Sequence, residues 1–319
     1  MASPPWLRDL PAIAGAALRA TRDPARLRPG QRRRWKELTA WRVLTAGRRV
    51  LPDFVIAGTQ RGGTTSLYRN LAEHPQVEPC IRKEVHFFDT YFERGPYWYR
   101  GHFPTQGQLR RRERREGHRV ITGEATPAYL FDPVSRVRMA ALLPGARWIV
   151  VLREPVARAY SQYQVRVSRY GERRSFEEML QQDPILRAPD PARLMRRRES
   201  VFVTSRGAPD LARGLYVYQL EHLLELHPRE RVLILGFEEM LADEEAFYRT
   251  VTDFLGIAPF PSGGLVAQRP PPYPPLEPET RRRLEAFYRP HNERLFALLG
   301  RRLPWARGAG RAEAAARPG

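Results

Sequence analysis

Lysine is almost missing from this sequence. Of its 54 basic residues, only Lys36 and Lys83 are not arginine. Cysteine is nearly absent too. Cys80 stands alone, so no intrachain disulfide can form, and the expectation is a reducing compartment, the cytoplasm. No stretch approaches the apolar length of a membrane span. The weak alanine-rich run from Leu10 to Leu18 follows Arg8 and Asp9 and reads as a short amphipathic helix rather than a cleaved signal. The seven histidines are scattered without metal-ligand spacing, so no metal is expected. Zinc-finger, basic-zipper and aromatic-interleaved RNA motifs are all missing, which argues against nucleic acid as the partner. No internal repeat is visible.

What is present is positive charge. The net value is +19, because 54 basic residues face only 35 acidic ones. Arginine, alanine and proline richness can reflect coding bias, which accounts for part of this excess. The rest favours an anionic partner such as a nucleotide, an acidic glycan or a phospholipid surface. A chain of 319 residues with 42% hydrophobic content can bury a sizeable core. Residues 1–48, which include Arg32-Arg33-Arg34, read as a basic, partly helical extension. Residues 49–305 form the expected folded domain, and 306–319 a disordered tail.

The domain is organised around Phe54-Val55-Ile56-Ala57-Gly58-Thr59-Gln60-Arg61-Gly62-Gly63-Thr64-Thr65-Ser66. The apolar run predicts a buried parallel strand. A glycine turn follows, and a helix then begins with Leu67 and Leu71 on one face. Strand, glycine turn and helix together make an anion cradle, in which backbone N–H groups and the helix N-terminus point at an oxyanion. A nucleoside-triphosphate loop needs lysine after the second glycine, but that position holds Thr64, and Arg61 is the turn's only cation. The bland alternative is a tightly packed connection with no ligand.

Three further stretches carry chemistry. Lys83-Glu84-Val85-His86-Phe87-Phe88-Asp89 crowds two carboxylates, an imidazole and an ammonium beside aromatics. A carboxylate in such surroundings tends toward a raised pKa and can serve as a base near neutrality. The same alternation fits a plain strand edge with solvated charges. The aromatic block Tyr91-Phe92 and Pro96-Tyr97-Trp98-Tyr99 is either core or a wall for a stacked ring, and Trp98 is the candidate for acceptor contact, with Lys83 and Asp89. Trp148-Ile149-Val150-Val151-Leu152 is the clearest buried strand. Arg153 follows it, and Pro155 opens a helix carrying Ser161. Ligands of open α/β sheets bind at the carboxyl ends of strands, so Arg153 and Ser161 can present a fork and a donor to a second phosphate. The alternative for Arg153 is a capping salt bridge with Glu154. Val232 to Gly236 is a third strand, and helices are expected over Arg136 to Leu143, Leu211 to His227, Glu244 to Leu255 and Leu284 to Leu299. Arg110 to Arg119 reads as a solvated loop or helix face, and Pro184 to Arg198 as a loosely ordered insertion. Strands separated by helices predict a parallel sheet covered on both faces.

Taken together and in order, the opening turn, the Lys83–Asp89 segment, Thr126-Pro127-Ala128-Tyr129, Arg153-Glu154-Pro155 through Ser161-Gln162-Tyr163, the strand at Val232 and Pro290-His291-Asn292-Glu293-Arg294-Leu295 resemble the sulfotransferases that use 3′-phosphoadenosine 5′-phosphosulfate (PAPS). The resemblance is strongest to the heparan sulfate 3-O- and N-sulfotransferase branch and covers roughly residues 50–305. It implies a P-loop-NTPase-like three-layer α/β fold, and the absence of the cysteine pair found near the end of the animal enzymes fits a soluble homologue outside the Golgi. It implies that Arg61, Gly62, Gly63, Thr64, Thr65 and Ser66 hold the 5′-phosphosulfate and that Arg153 and Ser161 hold the 3′-phosphate. Arg269 matches a cationic lid. Glu84 matches the catalytic base, with His86 and Asp89 beside it, and Arg61 would steady charge on the leaving oxygen during in-line transfer to a hydroxyl or amine. Arg61 stands where the family has a loop lysine, and Ala125 where a lysine is common. A nucleotide kinase would need a lysine at position 64. A non-catalytic anion-binding module would keep the loop but not need Glu84.

Overall fold

Four strands lie side by side and parallel in the computed structural model, which describes residues 40–196, 211–260 and 273–307. Strand β1 (Phe54–Gly58) is buried at every position, as a strand covered on both faces should be. The chain leaves β1 through the glycine turn into helix α1 (Thr64–Glu73) and passes through α2 (Gly95–Arg100) and α3 (Gln106–Glu116). It then returns in β2 (Gly123–Ala125), where Val55 faces Glu124. After α4 (Pro133–Leu142) comes β3 (Arg147–Leu152), on the other side of β1, with Val55 facing Trp148. Helix α5 (Pro155–Tyr170), α6 (Tyr216–Leu226) and β4 (Val232–Gly236) follow, with Trp148 facing Val232. Helices α7 (Glu244–Leu255) and α8 (Pro278–Leu299) close the described fold.

The strand order β2-β1-β3-β4 decides where a ligand can sit. The chain moves outward from β1 to β2, then crosses back to β3 on the opposite flank. The loops after β1 and β3 therefore diverge and leave a crevice between them at the strands' carboxyl ends, the topological switch point of an open sheet. The Arg61 turn and Arg153 are on those two loops.

The termini of the helices are built from local chemistry. Glu154 caps α5 by accepting from the N–H groups of Val156 (2.8 Å) and Ala157 (2.6 Å), and Pro155 occupies the first turn. Thr105 and Gln108 form a reciprocal capping box at α3, so the arginine run is a regular helix lying on the surface. Arg42 donates to the carbonyls of Gly101 (2.6 Å) and Phe103 (2.8 Å), and Val43 is buried, so the packed body begins ahead of residue 49. The basic stretch from Pro184 contains two short helices, Pro184–Arg187 and Pro191–Arg196, the first capped by Asp183. The last helix starts at Pro278, six residues before the first strongly apolar position, because its opening turns are charged and exposed.

Trp98 and Tyr99 of the aromatic block belong to the core, while Tyr91 and Tyr97 are half-buried and Phe92 is exposed. Phe87, Phe88, Trp98, Tyr99 and Phe103 are wholly buried, and Tyr99 stacks on Phe87 with centroids 4.6 Å apart. Trp98 therefore cannot be a wall for an acceptor. Its ring packs against His102 (4.4 Å) and Tyr91 (5.5 Å), beneath the Arg94 guanidinium. The Lys83–Asp89 segment is likewise not a strand edge. Glu84 and His86 take left-handed backbone conformations, with φ of 59° and 55°.

Candidate active site

The glycine turn needs its glycines for space as well as conformation. A Cβ on Gly58 (φ 130°) would stand 2.3 Å from the Val151 carbonyl oxygen of β3. A Cβ on Gly63 (φ 81°) would stand 2.6 Å from the Phe237 ring. Gly63 also takes the N-cap position of α1 without a side chain, so the first N–H groups of that helix face the crevice. Arg61 is held left-handed (φ 69°) in the same turn.

The turn after β1 meets the turn after β3 directly. Arg61 Nε donates to Ser161 Oγ (3.1 Å), and Arg153 Nη1 donates to the Arg61 carbonyl (3.0 Å). Arg153 does not pair with Glu154, whose carboxylate is spent on capping α5. Arg153 lies over the Phe237 ring (5.1 Å), with Nη2 donating to Tyr273 Oη (3.4 Å), while the Tyr216 hydroxyl donates to the Arg153 carbonyl (2.8 Å). Tyr273 is the first described residue after residue 260; Arg269 lies outside the described residues.

Beside these groups lies a cleft of about 610 Å³, lined by Gln60, Arg61, Gly63 to Ser66, Arg69, Glu84, Pro127, Arg153, Gln162, Val165, Ser168, Arg169 and Phe237; Ser161 is buried behind Arg61 and is not part of this lining. Four arginines and one carboxylate face it. Burial, together with repulsion from Arg153 and Arg169, lowers the Arg61 pKa from its ordinary value. Converging cations of this kind are relieved by an anion, and a nucleotide with phosphates at both ends of its ribose supplies charge to both arms.

The single acid is Glu84, tethered by its N–H to the Ala125 carbonyl at the end of β2 (3.0 Å). Its side chain is 46% exposed to the cleft, with Oε1 accepting from Lys83 Nζ (2.7 Å) and Oε2 lying 3.7 Å from His86 Nε2. Its expected raised pKa is reversed. Pairing with His86 outweighs burial, Lys83 adds to it, and the carboxyl is held down at about 2. For His86 burial opposes the charge, but bonds to Asp89 and Glu84 prevail and push it up to about 9. Asp89 does not face an acceptor. Its side chain is 6% exposed and Oδ2 pairs with His86 Nδ1 at 2.8 Å, which makes it the group that orients the imidazole.

Sequence reasoning gave no cofactor or catalytic role to several cleft residues, among them Arg69, which lies on α1. Val165, Ser168 and Arg169 follow Ser161 at spacings of four, seven and eight along α5, so the helical period was the available signal. Phe237 directly follows β4, at the end where ligands bind.

A parallel sheet with a glycine turn at its switch point, an arginine on each neighbouring loop and one facing carboxylate defines an α/β group-transfer enzyme for an anionic donor. Comparison with known proteins makes this specific. Residues 51–263 match the sulfotransferase domain, and the chain belongs to that family. It is 30% identical over 285 residues to human heparan sulfate glucosamine 3-O-sulfotransferase 6, covering 81% of this chain and 75% of the relative. It is 25% identical over 321 residues to the membrane-associated sulfotransferase kil1 of Dictyostelium discoideum, covering 80% of this chain and 66% of the relative. A solved sulfotransferase from Alicyclobacillus acidocaldarius superposes with a TM-score of 0.60 at 29% identity, covering 81% of this chain and 99% of that one. The protein is a sulfotransferase of P-loop-NTPase-like fold.

Proposed function

We propose that this enzyme moves the sulfuryl group of PAPS to a hydroxyl or amine of a glycan acceptor, with Glu84 as the base. The meeting of Arg61 and Arg153 in the cleft that Glu84 faces is the observation that carries this reading. The residues fit the donor, because four arginines converge and Gly63 leaves the N-terminus of α1 open without pressing a Cβ into Phe237, which lines the cleft. Arg61, Thr64, Thr65 and Ser66 would hold the 5′ end, and Arg153 and Ser161 the 3′-phosphate. The donor brings an activated sulfuryl group; the protein contributes position and charge.

A carboxylate held at about 2 is a weak base toward a free hydroxyl. Glu84 therefore takes the proton late, as the attacking atom turns acidic on bonding to sulfur. His86, fixed by Asp89, and Lys83 keep Glu84 ionised and aimed until then. Arg61 and the N–H groups of the turn face the leaving oxygen. Glycan acceptors are favoured by the heparan sulfate enzymes among the relatives and by the arginines Arg69 and Arg169 at the cleft.

The test is Glu84→Gln, assayed with PAPS and a heparan sulfate oligosaccharide. Turnover should fall on the order of 10²- to 10⁴-fold, the usual contribution of a positioned base. Affinity for the product nucleotide, 3′-phosphoadenosine 5′-phosphate (PAP), should stay within about twofold. Full turnover in the variant removes Glu84 as base, and no PAP binding by the wild type removes the donor.

A further inference from the structure

Glu124 lies on β2, wholly buried, with no basic side chain among the hydrogen bonds and ion pairs of the described residues. Burial pushes its carboxyl up to about 7 even though hydroxyls and, less strongly, the His86 charge nearby hold it down. A carboxylate is a poor choice for filling a core, since desolvating it without a cation is unfavourable and an apolar side chain of similar size would not carry that penalty. Its neighbours suggest what offsets this. Oε1 accepts from Tyr99 Oη (2.6 Å) and Tyr129 Oη (3.5 Å), and Oε2 from Thr126 Oγ1 (2.7 Å).

Each tyrosine in turn grips the segment that carries Glu84 and His86. Tyr129 Oη, pointing its proton at Glu124, accepts the Phe87 N–H (2.8 Å). The Tyr99 ring stacks on the Phe87 ring, 18° from parallel. The next residue on β2, Ala125, accepts the Glu84 N–H. Glu84 and His86 are both left-handed non-glycine residues, a conformation that persists only where neighbours enforce it. Phe87 follows them; its main chain is held by the Tyr129 hydroxyl and its ring by the Tyr99 ring, the two side chains whose hydroxyl groups donate to Glu124.

We propose that Glu124 is a positioning residue for the Glu84–His86 pair, acting through Tyr129 and Tyr99 on Phe87. The inference rests on the role given to Glu84 above, but it makes its own demand on the shape of the 84–89 segment. Glu124→Met removes all three acceptor contacts. Glu124→Gln keeps Oε1 for both tyrosines and can turn its amide toward Thr126, so it should restore most of what methionine loses.

The experiment reads His86 by NMR titration, assigned with His86→Asn, alongside PAP calorimetry and turnover with PAPS and a heparan sulfate oligosaccharide. In Glu124→Met, the His86 pKa should fall by at least one unit from about 9, toward the ordinary imidazole value, because its bonds to Glu84 and Asp89 loosen. Turnover should fall at least tenfold while PAP affinity stays within twofold, and Glu124→Gln should recover to within about threefold of wild type. Unchanged His86 titration and turnover in Glu124→Met overturn the proposal. So does a parallel loss of PAP affinity, which marks general loosening of the fold. If the methionine variant does not fold, Tyr129→Phe carries the test, since it strips the Phe87 N–H of its acceptor and leaves Glu124 and Tyr99 in place. A folded Tyr129→Phe with wild-type His86 overturns the proposal equally. The titration needs no base assignment, so a failure of Glu84 as base, seen as active Glu84→Gln, is distinguishable from a failure here.

Discussion

Replacing Arg153 with alanine separates the two ends of the donor. Arg153 is 9% exposed at the carboxyl end of β3 and is aimed by three contacts: the Arg61 carbonyl, the Tyr273 hydroxyl and the Phe237 ring. If its free donors meet the 3′-phosphate, the variant loses hydrogen bonds between charged groups, each worth about 1.5–3 kcal/mol. At about 1.4 kcal/mol per tenfold, one such contact weakens PAP by about 10- to 150-fold. The rival effect is the loss of one positive charge from the cleft. Across about 10 Å of water-like medium that is worth about 0.4 kcal/mol, or about twofold, on any anionic ligand. The two effects part on adenosine 5′-monophosphate, which lacks the 3′-phosphate. Calorimetry should show PAP weakened at least tenfold and the monophosphate about twofold. Equal losses for both ligands refute the assignment of Arg153 to the 3′ end, and an unchanged PAP affinity refutes it outright.

Other perturbations test the turn and the charged trio. Gly63→Val places a β-branched side chain at φ 81° and 2.6 Å from Phe237, adding about 1–2 kcal/mol of left-handed strain to the clash; the melting temperature should drop by a few degrees and PAP binding should disappear, and a variant with normal values for both would show the turn to be slack. His86 sits at about 9 in the folded protein, above its ordinary value of 6.5. Its ion pairs therefore stabilise fully below about pH 6.5 and are lost as pH rises through 9. Urea midpoints of the wild type should fall between pH 6.5 and 9.5 more steeply than those of His86→Asn, and matching slopes would contradict the pairing. Glu84, held at about 2 against an ordinary 4.5, has the opposite sign: its contribution is present above about pH 4.5 and lost as pH falls toward 2.

Strands β1, β3 and β4 were legible because burial on both faces leaves an unbroken apolar run, as in Trp148 to Leu152, which β2 (Gly-Glu-Ala) lacks. Their carboxyl ends were legible for the same reason, and with them Arg61 and Arg153. Helix α7 was read to the residue because Asp243 caps it and Gly256 ends it. The Lys83–Asp89 segment differs in shape from its sequence reading because its alternation mimics a strand. Two non-glycine residues in the left-handed region leave no mark in composition. The Glu84 pKa was misjudged for a related reason. Sequence places aromatics beside it, but the folded loop turns Phe87 and Phe88 into the core and leaves Glu84 with Lys83 and His86. Trp98 was assigned outward because periodicity over a six-residue helix cannot say which face is covered.

Arginine in place of a loop lysine follows from the same geometry. A lysine ammonium is one point of charge at the end of a flexible stem, free to follow an anion but not to hold a second partner in a fixed direction. Arg61 spends Nε on Ser161, one hundred residues away on α5, which leaves the outer edge of its planar guanidinium for a ligand. Its carbonyl is tied in turn to Arg153. The turn after β1 and the helix after β3 are thus joined through one side chain and one carbonyl, and the two proposed anion sites are set at a fixed separation before any donor arrives. A lysine at position 61 would keep the charge but lose the Ser161 bond, so the cleft would have to be ordered by the donor itself. The Arg61→Lys variant should therefore bind PAP more weakly by about 0.5–1.5 kcal/mol, the net worth of one hydrogen bond. Ser161→Ala removes that bond and the proposed 3′-phosphate donor together, so it should weaken PAP further than Arg61→Lys does. Equal affinities for wild type and Arg61→Lys by calorimetry would mean that the Ser161 bond contributes nothing to preorganisation.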